Sequence, residues 1–266
     1  MRKYKVLKAL ALPLAVAGIF VACKKEGLND TPEVSPSANV LVVHAAPVAT
    51  GYPTLDVFVD TARFTAAALA YLGNNQATGI TGNLLYAPVI ADDYELNVRP
   101  STTPGVKVLN TTTSLAANSN YSFFIYDTLS ATTSQFKLLR LTDDLTPPAD
   151  TSMSKVRFLH LAPNAPAYDV TMIRLVGTAE TDSITLPARS YIGNSAPNEA
   201  TLSAFTAVKG GIYRVRLKLA GTSTVAATIN NAATNFLNFA KSKAYTVFIT
   251  GTAKGQALAL RSVRHF

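Results

Sequence analysis

Two histidines precede two aspartates at matching places in this 266-residue sequence. His44 lies ahead of an Ala-Pro pair and Asp56, and His160 lies ahead of an Ala-Pro pair and Asp169. An imidazole and a carboxylate can bind a metal ion, transfer a proton, or hydrogen-bond to each other. A metal site needs three or more protein ligands, so one such pair in each stretch is incomplete without ligands from elsewhere.

The favoured interpretation of this motif is structural, with a metal site as the sharper alternative. Each histidine continues the apolar face of a strand at its end, and each aspartate opens the next strand. We therefore expect Asp56 and Asp169 to accept hydrogen bonds from His44 and His160 and so to hold the intervening turn.

Catalytic chemistry has little support in the sequence. There is no Gly-x-Ser-x-Gly motif, and no pair of acids is shared between the two stretches. The acidic pairs 92–93 and 143–144 are predicted to be exposed turn residues. The sequence therefore predicts a protein that is not an enzyme, with no metal and no cofactor.

The first residues have the build of a secretory signal. Four cations, with no acid among them, precede a 14-residue apolar stretch from Ala9 to Ala22. A helix that spans a bilayer needs about 20 apolar residues, so the stretch is too short for one. Pro13 within it also disfavours a stable spanning helix.

Cys23 ends this stretch and is the only cysteine of the chain. The run Phe-Val-Ala before it resembles the lipobox of bacterial lipoproteins, although Phe20 stands where leucine is usual. We therefore expect cleavage before Cys23, acylation of that cysteine and a membrane anchor. Asp is absent directly after Cys23, which favours the outer membrane, with display at the cell surface as a further possibility.

Composition excludes a nucleic-acid partner. Removal of the four signal cations reduces the formal charge from +8, leaving 20 basic against 16 acidic residues. The exported part has no long basic run, and Arg214, Arg216 and Lys218 alternate along one predicted strand, as on a solvated face.

A long internal repeat organises the chain. The two histidine motifs lie 116 residues apart, and the segments 121–125 and 245–249, each of which begins with a tyrosine, also correspond. A repeat of this length is a whole domain. The predicted segments are a signal peptide at 1–22, a flexible stalk at 23–38, a first domain at 39–146, a linker at 147–152 and a second domain at 153–266.

Each copy is predicted to consist of strands. Tyr213, Val215 and Leu217 alternate with basic residues, which gives the period of two that is typical of a half-buried strand. Only Thr65 to Leu72 could form a short helix. About seven short strands per copy predict an all-β fold of two tandem immunoglobulin-like antiparallel β-sandwich domains.

A local signature supports the sandwich. Leu115, Asn118 and Tyr121 have the spacing of a tyrosine corner, in which asparagine can take the left-handed position that glycine usually holds. Phe239, Ser242 and Tyr245 repeat the spacing. The Cys…Trp…Cys core of true immunoglobulin domains is absent.

Residues 156–170 resemble the opening strand and turn of the bacterial domain-of-unknown-function family numbered 4397. Residues 40–59 are similar, apart from an insertion at 48–54. The resemblance covers nearly all of residues 39–266 in two copies and implies an exported tandem β-sandwich protein, with no catalytic residues to transfer.

Two non-enzymatic functions compete. Tandem sandwiches on a lipid anchor favour a surface binding or adhesion module, whose partner would be an envelope protein or a glycan. The alternative is a structural spacer or accessory subunit of an envelope assembly. The absence of tryptophan disfavours sugar binding on flat aromatic rings without excluding contacts made by tyrosine.

Overall fold

A computed structural model describes residues 35–47, 54–75, 86–128, 136–229, 237–251 and 256–266 of the chain. The predicted signal peptide, Cys23 and most of the predicted stalk lie outside these residues. Within them, no helix is long and apolar enough to cross a bilayer. The described part is almost entirely β-structure, which confirms the predicted fold class.

The first half of the chain forms two facing sheets. The inner sheet has the order β5-β1-β8-β9, and the outer sheet has the order β3-β2-β6-β7, with β4 beside β2. The strands are β1 (Ser37–His44), β2 (Thr54–Val59), β3 (Ala62–Arg63), β4 (Leu69–Ala70), β5 (Ala87–Ile90), β6 (Asp93–Pro100), β7 (Leu109–Ser114), β8 (Asn120–Tyr126) and β9 (Lys137–Thr142).

The second half repeats this topology. Its inner sheet has the order β13-β10-β17-β18, and its outer sheet has the order β12-β11-β14-β15, with β16 beside β14. The strands are β10 (Met153–His160), β11 (Tyr168–Val176), β12 (Ala179–Arg189), β13 (Thr206–Lys209), β14 (Gly211–Leu219), β15 (Val225–Ile229), β16 (Leu237–Phe239), β17 (Ala244–Thr250) and β18 (Ala259–Arg264); a 3-10 turn (Ile192–Asn194) and a short helix, α1 (Glu199–Ser203), lie between β12 and β13.

Each inner sheet contains one parallel pair of strands. β1 runs parallel to β8, and β10 runs parallel to β17, whereas the other described pairs are antiparallel. The predicted alternation on β14 is confirmed, because Tyr213, Val215 and Leu217 are buried while the basic residues between them are partly exposed.

The predicted short helix at residues 65–72 is wrong. This segment contains the strand β4, in which Leu69 pairs with Leu55 of β2 and is buried in the core of the first sandwich. Pairing with β2 supplies hydrogen-bond partners for the backbone groups of this segment. A segment of this length is too short to be stable as an isolated helix.

Both tyrosine corners are present as predicted. Asn118 has φ 57° and Ser242 has φ 59°, so each takes the left-handed conformation. The Tyr121 hydroxyl accepts a hydrogen bond from the Ala116 amide at 3.1 Å, and the Tyr245 hydroxyl accepts one from the Ala240 amide at 2.9 Å.

The inner strands are buried on both faces. On β1, Val40 and Val42 belong to the core of the first sandwich, whereas Leu41 and Val43 belong to a third core cluster that draws residues from both halves. This is why the strand is a continuous apolar run with no polar alternation.

The two sandwiches pack through these inner sheets within one compact unit, Ser35–Phe266. Phe124 and Phe248 occupy equivalent positions on β8 and β17, and their rings meet edge to face at 5.6 Å. Equivalent residues in contact are typical of an interface with approximate two-fold symmetry. The predicted division of the chain at residues 147–152 stays a prediction.

Candidate functional site

His44 ends β1 in an apolar environment. Its ring contacts those of Tyr71 and Phe136, and neither ring nitrogen has a hydrogen-bond partner among the described residues. Burial lowers the pKa of His44 to about 3, so its imidazole is neutral at neutral pH.

His160 ends β10 and is held by the turn that follows it. Its Nε2 lies 3.0 Å from the Pro166 carbonyl oxygen, and its Nδ1 accepts a hydrogen bond from the Ala162 amide at 3.3 Å. The ring stacks on Tyr168 at 5.5 Å. Burial lowers the pKa of His160 as well.

The predicted hydrogen bonds between these histidines and aspartates are wrong. Asp56 forms an ion pair with Arg63 at 2.5 Å. Asp169 accepts hydrogen bonds from the amides of Ala188 and Gly221, which lower its pKa. The reason is strand parity, because each aspartate lies between two buried residues of its strand and therefore faces away from the core.

For the alternative of a metal site at the histidine and aspartate motif, the described residues supply no additional ligands. No group of three or more histidine, cysteine or acidic side chains able to hold a metal ion occurs in the part of the chain that is described.

Replacing His160 with alanine is expected to lower the free energy of unfolding by roughly 1–3 kcal/mol, because a buried carbonyl and amide lose their partner. Thermal unfolding of the full chain measures the effect. His160→Phe is the control, since it keeps an aromatic ring against Tyr168 and should cost less than alanine. A melting temperature unchanged in His160→Ala would contradict this role.

A buried polar cluster that no sequence pattern predicted lies between the two sandwiches. Asp143 was expected to be an exposed turn residue, but its side chain is 0% exposed and forms an ion pair of 2.6 Å with Arg157 of β10, which is 1% exposed. Asp144 is exposed, as predicted. We call this group the interface cluster: Tyr86, Ser122, Asp143, Arg157, Thr246 and His265.

The interface cluster closes into a ring of hydrogen bonds. Arg157 Nε donates to Thr246 Oγ1 at 2.7 Å, and Thr246 Oγ1 lies 2.7 Å from His265 Nε2. His265 Nδ1 lies 2.6 Å from the Tyr86 hydroxyl, which donates to Asp143 Oδ2 at 2.7 Å. If His265 is neutral and protonated on Nδ1, every proton in the ring has one acceptor.

Electrostatics favour this neutral state of His265. Burial lowers the pKa of His265 to about 4; the Asp143 carboxylate opposes that shift and the Arg157 charge adds to it. Burial and the same carboxylate raise the pKa of Tyr86. The ring therefore combines one ion pair with neutral side chains.

Most members of the interface cluster come from equivalent positions of the two halves. Tyr121 pairs with Thr142, and Tyr245 pairs with Arg264, so Asp143 and His265 occupy the same place after the last strand of each half. Ser122 and Thr246 are likewise equivalent. No local pattern in the sequence shows that these positions meet, because the equivalent positions lie more than 100 residues apart and contacts within the cluster cross from one half to the other.

An accessible groove lies beside the interface, along the edge strands β7 and β9. It has a volume of about 480 Å³, and α1 of the second half flanks it. We call it the β7–β9 groove, and its lining residues are Asp93, Thr112, Thr113, Ser114, Leu138, Arg140 and Glu199.

Arg140 lies at the centre of the polar contacts of the β7–β9 groove. Its Nη2 lies 3.2 Å from Glu199 Oε2, and its Nη1 donates to the Ser114 carbonyl at 3.0 Å. The Thr113 hydroxyl is buried and has no hydrogen-bond partner among the described residues. The groove thus presents charged side chains and the exposed residues Thr112 and Ser114 to solvent, whereas most of the interface cluster is buried.

A family model described as Domain of unknown function (DUF4397) matches the chain once, over residues 38–171, which is half of its length. The match extends from β1 of the first half to the start of β11 in the second. No protein with a curated description matches the sequence.

Solved structures of three bacterial proteins are similar to this chain at low sequence identity. The Bacillus anthracis TIE protein is 9% identical with a TM-score of 0.21; the match covers 81% of this chain but only 33% of that protein. A candidate cell adhesion protein from Bacteroides uniformis is 11% identical with a TM-score of 0.24, with coverages of 87% and 98%. One from Bacteroides fragilis is 10% identical with a TM-score of 0.22, with coverages of 85% and 97%. Sequence identities and TM-scores this low establish no function for this chain.

Proposed function

The chain belongs to the domain-of-unknown-function family DUF4397, and we propose that it is a non-catalytic binding module of the cell envelope. The observation that carries this proposal is the contrast between its two polar sites. The Arg157–Asp143 ion pair of the interface cluster is buried and joins the halves, whereas the β7–β9 groove is open and lies along two edge strands. A rigid scaffold that presents an open polar site is suited to recognition.

The burial of the motif histidines supports a non-catalytic role. His44 and His160 are both buried, and burial lowers the pKa of each. A general base must reach the proton that it removes, and neither imidazole is open to solvent.

The proposed location is the outer membrane, with Cys23 acylated as the membrane anchor. A cationic start, a short apolar stretch and a small residue before the cysteine support this part of the proposal. The polar segment that follows Cys23 would separate the folded part from the lipid.

The test compares bacteria that express the full chain with bacteria that express Cys23→Ser. The native chain should fractionate with the outer membrane, and after solubilisation it should bind at least one member of a panel of fluorescent oligosaccharides and purified envelope proteins. Cys23→Ser should leave the membrane fraction but keep the same binding after purification, because the folded residues are unchanged. A folded protein that binds no member of the panel would contradict the proposal.

The competing role is a rigid spacer or accessory subunit of an envelope assembly. The burial of both faces of the inner sheets favours it, since it joins the halves into one unit. A spacer has no need of the β7–β9 groove. Capture of one purified envelope protein, unaffected by substitutions in that groove and without oligosaccharide binding, would favour the spacer.

A further inference from the structure

We propose that the β7–β9 groove binds an uncharged, hydroxyl-rich ligand with the dimensions of a short neutral oligosaccharide. This inference rests on the proposed binding function and specifies its ligand. The groove volume of about 480 Å³ lies within the range of small-molecule sites and fits on the order of one or two sugar rings.

The groove is the open side of the first sandwich. Thr113 lies between exposed neighbours on β7 and therefore faces the space between the two sheets. Leu138 and Arg140 face the same space, because the alternate residues Leu139 and Leu141 of β9 belong to the interface between the halves. These three side chains thus converge from two edge strands that are fixed by their own sheets.

Thr113 supplies an observation that points to a ligand. Its side chain lines the groove, the residue is only 8% exposed, and its hydroxyl has no hydrogen-bond partner among the described residues. A buried hydroxyl normally has a partner. A ligand hydroxyl in the groove would supply one.

The charges of the groove disfavour an ionic ligand. The Arg140 guanidinium is already paired with Glu199, and Asp93 leaves the lining with one excess negative charge, which disfavours an anion. A divalent cation needs a larger set of converging ligands, and no group of three such residues occurs in the described ranges.

An apolar ligand is also disfavoured, since Leu138 is the only large apolar side chain among the described residues that line the groove. Carboxylates accept hydrogen bonds from hydroxyl groups, the guanidinium donates to them, and the threonine and serine hydroxyls can do both. Hydroxyl groups on neighbouring carbons match this mixture, because each of them donates and accepts.

The test measures binding of neutral and acidic trisaccharides to the full chain by isothermal titration calorimetry. The probes are maltotriose, cellotriose, mannotriose and chitotriose as neutral ligands, and trigalacturonic acid as an acidic one. At least one neutral probe should bind. Thr113→Val and Asp93→Asn should each weaken that binding tenfold or more. The melting temperature of Thr113→Val should not fall, because no hydrogen bond within the protein is lost and valine has a similar shape.

Thr111→Val is the matched control. Thr111 lies on the same strand and shares the parity of Thr113 but does not line the groove, so this variant should bind like the native chain. Binding of the acidic probe alone would overturn the assigned ligand class, and neutral binding unaffected by Thr113→Val and Asp93→Asn would overturn the assigned site. Binding of none of the trisaccharides would overturn the inference, while binding to other members of the larger panel would leave the proposed function standing.

Discussion

Replacing Arg157 with leucine is expected to lower the free energy of unfolding by about 3–5 kcal/mol. The substitution leaves the Asp143 carboxylate buried without its cation, and it removes the donor to Thr246 from the ring of hydrogen bonds. Leucine fits the position in shape, since Leu41 occupies the equivalent place on β1 and is fully buried. Urea-induced unfolding of the full chain measures the effect.

Two further variants distinguish the cost of leaving a buried charge unpaired from the cost of losing an arginine side chain. Arg216→Leu removes an arginine whose ion pair with Glu180 is exposed, and such pairs contribute about 0–1 kcal/mol. The double variant Arg157→Leu with Asp143→Asn should recover part of the stability, because no uncompensated charge remains. If Arg157→Leu costs no more than Arg216→Leu, the interface cluster does not stabilise the packing of the two halves.

Acidification from pH 6.5 to pH 4.5 is expected to destabilise the protein through its buried histidines. The folded-state pKa is about 4 for His265 and about 3 for His44, both below the ordinary value of 6.5. At pH values between the folded-state pKa and the unfolded-state pKa, the unfolded chain binds more protons than the folded chain. The stabilisation that the two neutral histidines contribute is therefore present above pH 6.5 and is lost as the pH falls. Each of the two histidines should contribute on the order of 2–3 kcal/mol over this interval.

The interface cluster gives this loss a structural reason. Protonation of His265 adds a proton on Nε2, which faces Thr246, whose oxygen already accepts a hydrogen bond from Arg157. The Thr246 proton then loses its acceptor, and a second buried cation lies beside the Arg157 guanidinium.

His265→Gln is the variant that tests this assignment. The free energy of unfolding of this variant should depend less steeply on pH than that of the native chain. The difference between the two slopes should equal the contribution of His265. Chemical unfolding at several pH values between 4.5 and 6.5 gives the slope directly, in an interval above the ordinary pKa of carboxylates. The same slope in both proteins would show that His265 does not titrate in this way.

Local features of the fold were predictable because neighbouring residues determine them. The basic and apolar residues of β14 alternate with the period of a strand, and the Asn118 to Tyr121 spacing predicted a tyrosine corner that the hydrogen bond to Ala116 completes. The repeat of these features predicted the second sandwich, since similar segments of chain adopt similar structure.

The partners of polar side chains were not predictable in the same way. The predicted pairing of His160 with Asp169 was wrong because successive side chains of a strand point to opposite faces of the sheet. Asp169 lies one residue away from the positions of β11 that face the core, so its side chain points away from His160. Asp143 follows a strand in a polar segment, as an exposed turn residue would, and only its contact with Arg157 of the other half explains its burial.

The strands, the tyrosine corners and the duplication of a β-sandwich follow from the order of the residues, because periodicity and turn chemistry act over a few residues. The packing of the duplicated sheets, the positions that meet in the interface cluster and the open β7–β9 groove follow from the three-dimensional arrangement instead. These features join residues that are far apart in the chain, such as Tyr86 and His265, or Arg140 and Glu199. Their contacts depend on the relative placement of whole sheets, and no local pattern records that placement.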